Sequence, residues 1–483
     1  MVLILPVEVT AMMPLKTSRN LKASILLVVF AAGLLTGCST LRDESIVSGK
    51  RRAIPEAELT ESLVAIQARP TNSQLNNGFE SERLWGPYND WEPAIAIDPA
   101  TGYVYQLTTR YDGPEACKRC SGPYIIFRRS IDGGATWKGD QFLTPFRKSH
   151  NDPQIEVADT GTIYAAWLND YVPGVKFIKS ADQGSTWTAP ITITTKSTKP
   201  NWSDKPVLAV SADGRDVYIA FNASDSFVTG SHDYGATFFQ PIRTSNDKRY
   251  WFHTGGAVAP DGSAYFAVVD YSTDYTGDAH INVLKSGNGG STWAAKRVDT
   301  SREAPRCDWS PGCYLGFFGP SAVLAIDAGG TIMLAYNAGD TPGLPQRMWV
   351  RTSGDGVGWS DRTEISSGSP WVNHAFPALA TGPTAGDFRL SWQDDRLRSM
   401  IAWNTWYRRT TDGGDTWTEA QRVSDRPDGA LYKTSDGYAF PYGDYFEIAV
   451  DPDGRTHLIW GEGAGYSGPG GTWYTRELSI PGK

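Results

Sequence analysis

Charged, imidazole and phenol side chains recur at the head of short apolar runs. Asp90 and Glu92 stand before Pro93, His150 and Asp152 before Pro153, and Asp204 and Lys205 around the approach to Pro206. His253, His374, and Asp444 with Tyr445 head three later runs. A second set, Arg110, Asp270 and Asp394 to Arg396, closes the strand-like segments that follow. Facing carboxylates split their pKa values, one serving as an acid while its neighbour stays ionised. A His or Tyr can take a proton, and an Arg can hold a substrate carboxylate by paired hydrogen bonds. Such groups suit work on an acidic sugar. The candidate catalytic residues are Asp152, Asp204, His150, Glu92, Asp444 and Tyr445; the candidate substrate-binding residues are Arg110, Arg396, Lys205, His253, His374 and Asp394. An Asp before a strand-opening Pro is also ordinary turn chemistry. The convergence of many such groups on one concave face is what raises a site above that reading.

The runs that carry these residues lie at 92–98, 152–157, 205–210, 256–259, 320–326, 377–380 and 445–450. Most are followed by a turn and a second strand-like segment, as in Asp451-Pro452-Asp453-Gly454. Pro at the head of five of them fits the first residue of a strand, where its missing N–H does no harm. Small residues such as Ala94, Ala96, Ala209 and Ala325 leave room where strands converge on an axis. Seven starts predict an all-β, seven-bladed propeller of four-stranded antiparallel blades, with six blades as the alternative. The seventh unit reaches only a third strand near 473–478, so residues 63–68 are expected to return as its outer strand and close the ring.

A second repeat runs out of phase with the first. Ser130-Ile131-Asp132-Gly133-Gly134-Ala135-Thr136-Trp137 returns at 180–187, 231–238, 286–293, 353–359 and 410–417, six copies in all. The Asp can accept backbone N–H groups just after it and the Gly supplies a positive φ, so the phrase reads as a structural hairpin corner. It resembles the Asp-box, or bacterial neuraminidase repeat, of sialidases and related propellers, over the chain from Tyr88 to the C-terminus. That resemblance implies a glycan-handling face on the side away from these corners. Sialidases use an arginine triad, a Tyr nucleophile assisted by Glu, and an Asp acid/base. Their first arginine lies in an Arg-Ile-Pro motif, whose place is taken here by Trp91-Glu92-Pro93. Three functions stay open: a sialidase-like glycoside hydrolase, a polysaccharide lyase on acidic glycans using a His or Tyr base, and a non-catalytic propeller that binds glycan or protein.

Lys16, Arg19 and Lys22 precede an apolar run that ends at Leu35-Thr36-Gly37-Cys38. This reads as an export signal over 1–37, and its end resembles the bacterial lipobox, which implies lipidation of Cys38 and anchorage to an outer or periplasm-facing membrane. Residues 38–87 then form a linker with the closing strand, and 88–483 the propeller. Cys117 with Cys120 and Cys307 with Cys313 read first as disulfides in an exported chain, with a four-thiolate zinc site as the alternative. The net charge of −8, without a basic run, argues against nucleic acid as a partner. No cofactor or metal is expected, a glycan is the expected ligand, the lipid is the only expected tie to a membrane, and the chain is expected to be a monomer.

Overall fold

The computed structural model describes residues 78–478 apart from 87, 112, 144–149, 170–173, 195–203, 224, 246, 275, 306–318, 367, 397–401, 426–429, 432–445 and 464–469. The described strands form seven sheets built on four antiparallel strands each, and the chain is a seven-bladed β-propeller. The inner strands are Asp90–Ile97, His150–Val157, Asp204–Val210, Tyr250–Val258, Ala322–Ile326, His374–Thr381 and Glu447–Val450. The seventh apolar run is therefore an inner strand like the others, and the six-bladed alternative is set aside. Blade one shows the order within a blade: Asp90–Ile97, Val104–Arg110, Tyr124–Ser130 and Gln141–Phe142 pair in sequence from axis to rim. Blade six adds a two-residue strand, Ala430–Leu431, against its third strand Ala402–Thr410.

Small side chains let the inner strands approach one another. Gly255 in blade four shows why: a Cβ there would lie 3.0 Å from the backbone of Val323 and Leu324 in blade five. Between the blades, apolar faces interlock, as where Trp403, Trp460 and Trp473 pack with Phe376 and Phe446 between blades six and seven.

The repeated phrase joins the third and fourth strands of blades one to six. In blade one Ser130 Oγ accepts the Gly134 N–H at 2.8 Å, and Asp132 Oδ1 accepts the Thr136 N–H at 2.8 Å. Burial is the largest single effect and pushes the Asp132 carboxyl up, but hydrogen bonds from the Ser130 and Thr136 hydroxyls and the Thr136 N–H together outweigh it and hold the carboxyl down at about 2. Gly134 has φ 84°, and a Cβ on it would collide with the Tyr474 ring of blade seven. The Gly is thus required twice over, by backbone conformation and by contact between blades. Cations reach across to the same corners: Arg129 donates to Gln183 O at 2.5 Å, Lys179 to Tyr234 O at 2.6 Å and Lys285 to Asp355 O at 2.7 Å. Each ties a blade to its successor.

Blade seven has no copy of the phrase because the chain is broken there. Its three C-terminal strands, Glu447–Val450, Thr456–Gly463 and Gly470–Arg476, are completed by Arg83–Leu84, with Arg83 opposite Tyr474 and Leu84 opposite Trp473. Ring closure by both ends is present, but the expected segment, 63–68, lies outside the described residues and its place is taken. The reason is chemical. An outermost strand faces solvent and is kept short and charged, and Arg83 uses its charge to bind Glu80 and the Ala135 carbonyl of blade one, the latter at 2.7 Å. An apolar run such as 63–66 was the wrong signal for an edge.

Candidate functional site

With the repeated corners on one face, the heads of the inner strands and the ends of the second strands lie together on the other. Among the described residues five inner strands break register there, between Trp91 and Ala94, Asn151 and Gln154, Asp204 and Val207, His253 and Gly255, and Ala375 and Ala378. Counted by register, Glu92, Asp152, Lys205, His253 and Phe376 occupy one level around the axis. Glu92, Asp152 and Phe376 have φ of 53°, 51° and 55°, each directly before a proline. The helical alternative is disfavoured before Pro, and a left-handed non-glycine costs about 1–3 kcal/mol. The same strain is kept at three equivalent places, which is the pattern of a bulge that re-aims a side chain.

The structure gives the sequence candidates unequal roles. Glu92, His150 and Asp152 are each less than 10% exposed, and the His150 ring lies 5.7 Å from that of Trp167. Asp204 Oδ2 accepts the Tyr250 hydroxyl at 2.9 Å, and the Lys205 ammonium lies 5.8 Å from the Phe252 ring. Asp444, Tyr445, Cys38, Cys307 and Cys313 lie outside the described residues. Cys117 and Cys120 form a disulfide.

Four of the substrate-binding candidates, Arg110, His253, His374 and Asp394, are buried and held by other groups of the protein. Arg110 is 1% exposed, held by Asp90 at 2.7 Å and Asp140 at 2.6 Å, so its fork is already filled by protein carboxylates. His253 is fully buried with Nε2 2.8 Å from Ser226 Oγ, and burial pushes its imidazole down to about 3. It is a neutral core residue. His374 is also fully buried, with Nδ1 3.1 Å from Asp394. Asp394 in turn is tied to Arg396 at 2.6 Å and to the Trp392 indole at 2.8 Å. Burial would raise the Asp394 carboxyl, but His374 and Arg396 outweigh it and hold it low. Arg396 alone of this group keeps an accessible guanidinium, 18% exposed and 3.7 Å from the Trp406 ring.

Two constellations escape single-residue reading. On blade four, buried Asp270 binds the Nδ1 of His280 at 2.8 Å, the side-chain nitrogen of Asn282 at 2.8 Å, and Arg249. The Nδ1 contact with a carboxylate sets the tautomer that leaves Nε2 as the basic nitrogen, and the His280 side chain is 16% exposed. Asp270 stands out in the sequence at the close of a strand-like segment, whereas His280 gains meaning only through its register with Asp270 across two strands.

The second constellation lines an axial cavity of about 410 Å³ bounded by the inner strands. Glu447 of blade seven accepts the Ile95 N–H of blade one at 2.8 Å and the Gln154 side chain of blade two at 3.1 Å. Burial pushes its carboxyl up to about 7, tempered by these bonds and by Lys205. Burial and the Glu447 charge push Glu156 to about 8. The available signal was Glu156, at an inner-strand level where other blades have Ala96, Ala209 and Ala325. Among the described residues no group of three or more His, Cys, Asp or Glu side chains is placed to hold a metal ion.

No protein-family profile matches the chain. Among curated proteins it is 26% identical over 327 residues to xyloglucanase Xgh74A of Acetivibrio thermocellus, an alignment covering 62% of this chain and 36% of that protein. The chain thus spans about a third of the length of the curated relatives it matches. A solved ulvan lyase of polysaccharide lyase family PL25 superposes with TM-score 0.50 at 14% identity, covering 82% of this chain and 94% of the lyase. The Hadza microbial sialidase Hz136 superposes with TM-score 0.43 at 16% identity, covering 81% of this chain and 66% of the sialidase. The likeness to the lyase is one of propeller fold.

Proposed function

We propose that the protein acts on an acidic, uronate-bearing polysaccharide laid across the face opposite the repeated corners, and cleaves it by β-elimination. The observation that carries this reading is the Asp270–His280 pair at the rim, an oriented imidazole beside the guanidinium of Arg249. His280 Nε2 would take the proton from the carbon next to the uronate carboxylate. The electron pair left behind forms a C=C bond as the C–O bond to the next sugar breaks, and the imidazolium returns the proton to the leaving oxygen. Arg249, 26% exposed, supplies positive charge on the side where the carboxylate gathers charge. The names of the similar proteins, a xyloglucanase, an ulvan lyase and a sialidase, support a glycan as the ligand.

A sialidase-type hydrolysis is the second reading. Glu92 and Asp152, at one level in adjacent blades and in strained backbone, favour it as a pair of carboxylates. Against it, Arg110 is buried between Asp90 and Asp140, which leaves no triad of available arginines among Arg110, Arg249 and Arg396. Incubation of purified protein with uronate-bearing and neutral polysaccharides tests both. Absorbance of an unsaturated product at about 235 nm is expected from elimination; new reducing ends without it would replace elimination by hydrolysis. Binding without either would leave a glycan-binding propeller. The same proposal includes export and a lipid anchor on Cys38.

A further inference from the structure

Trp371 is 72% exposed, the one tryptophan among the described residues that stands mostly in water. It lies between the last strand of blade five, Thr363–Glu364, and the head of blade six, and so on the face that carries the site. Its loop is fastened on both sides. The Trp371 N–H donates to Ser369 Oγ at 3.2 Å, Arg347 donates to the Ser369 carbonyl at 3.0 Å, and Asn373 gives both its backbone and side-chain N–H groups to buried Asp395 at 2.9 Å. The preceding residue, Asp394, fixes Arg396. Two consecutive carboxylates at the end of one strand thus position an exposed indole and a partly exposed guanidinium on neighbouring parts of the rim.

An indole left in water on a rigid support is ready to cover a flat, weakly apolar surface with little loss of conformational freedom. A protein partner would be matched by a wider apolar patch around it, since hot-spot aromatics work inside a zone that excludes water. Its chain neighbour Val372 is buried, the loop is held by polar contacts of Ser369, Asn373 and Arg347, and among the described residues of the loop no second large apolar side chain is exposed. A ring with one C–H face and a hydroxyl edge fits that surround. We infer that Trp371 is a stacking platform for a sugar ring of the bound chain, at a subsite toward blades five and six, away from the Asp270–His280 pair of blade four. The inference rests on the reading of the protein as glycan-active.

The test compares wild type, Trp371→Ala and Trp371→Phe on uronate oligosaccharides of increasing length, by calorimetry and by KM. Trp371→Ala should weaken the longest chains about tenfold, with the loss fading as chains shorten to a disaccharide, and Trp371→Phe should recover most of it. Wild-type affinity for long chains in Trp371→Ala would overturn the platform while leaving the proposed function intact. A uniform loss at every length would overturn it too, placing Trp371 at the reaction centre. Failure of the wild type to bind any acidic glycan would remove both.

Discussion

Asp270 and His280 face each other in register across adjacent strands of blade four, with carboxylate and Nδ1 2.8 Å apart. His280→Gln keeps the ring's hydrogen-bonding edge in part and removes its basicity. It should lower turnover by roughly 10² or more, as loss of a general base does, with the thermal midpoint held. Asp270→Asn should act on both, because the same carboxylate fixes Arg249 and Asn282. Single-turnover product formation alongside a melt separates the two. Full activity in His280→Gln would move the reaction to Glu92 and Asp152.

Arg110 is predicted to be a stability residue. It links Asp90 to Asp140, Asp140 also binds Arg128, and Arg128 donates to the Trp85 carbonyl just past the closing strand. Arg110→Ala leaves buried Asp90 without its partner and should cost about 3–5 kcal/mol, read as a lower urea midpoint. Arg396→Ala, at a partly exposed site, should instead weaken ligand binding with a smaller effect on folding.

The seven blades were legible because their signal is repeated: seven apolar starts and six corners constrain one another, and a single mutation of the pattern does not hide it. The site was legible only as a face. Arg110, His253 and His374 look like binding groups by type, yet each is buried, Arg110 and His374 against carboxylates of their own blades and His253 against Ser226 of blade three, and burial is set by strand pairing and packing that no single residue displays. His280 and Glu447 failed to stand out for the converse reason. Their partners, Asp270 and Ile95, are supplied by strand register and by the closure of the ring.

Closure gives a deletion test. Removing residues 78–86 takes away Arg83–Leu84, the Phe79–Glu477 bridge and the Trp85 side chain buried against blade one. The outer edge of blade seven is then unpaired, and the ring should lose its single cooperative transition in calorimetry. A melt identical to that of the full chain would assign closure to another segment.

Cys38 tests the anchor. The charged start, apolar run and Leu-Thr-Gly-Cys end propose cleavage before Cys38 and lipidation of its thiol. Cys38→Ala should move the protein from the detergent phase to the aqueous phase, or leave an unprocessed precursor of higher mass. Unchanged partition on extraction, with the mature mass, would count against lipidation.

The axial carboxylates set a pH dependence of opposite sign to that of the corners. Glu156 and Glu447 have folded values of about 8 and about 7, above the unfolded 4.5, so the folded chain binds more protons between those limits. Their contribution is complete below about 4.5 and is lost as pH rises through about 7 to 8. Asp132 and Asp451, held at about 2, contribute above 3.8 and lose that contribution as pH falls below it. Stability should therefore peak between these windows and decline on the alkaline side. Glu156 and Glu447 both line the cavity, and the Glu447 charge adds to the burial that holds the Glu156 carboxyl up. Glu156→Gln should match wild type near the stability maximum and melt higher at about pH 9, flattening the alkaline decline. Parallel wild-type and Glu156→Gln melting curves across the whole range would show that the cavity carboxylates are hydrated well enough to ionise at their ordinary values.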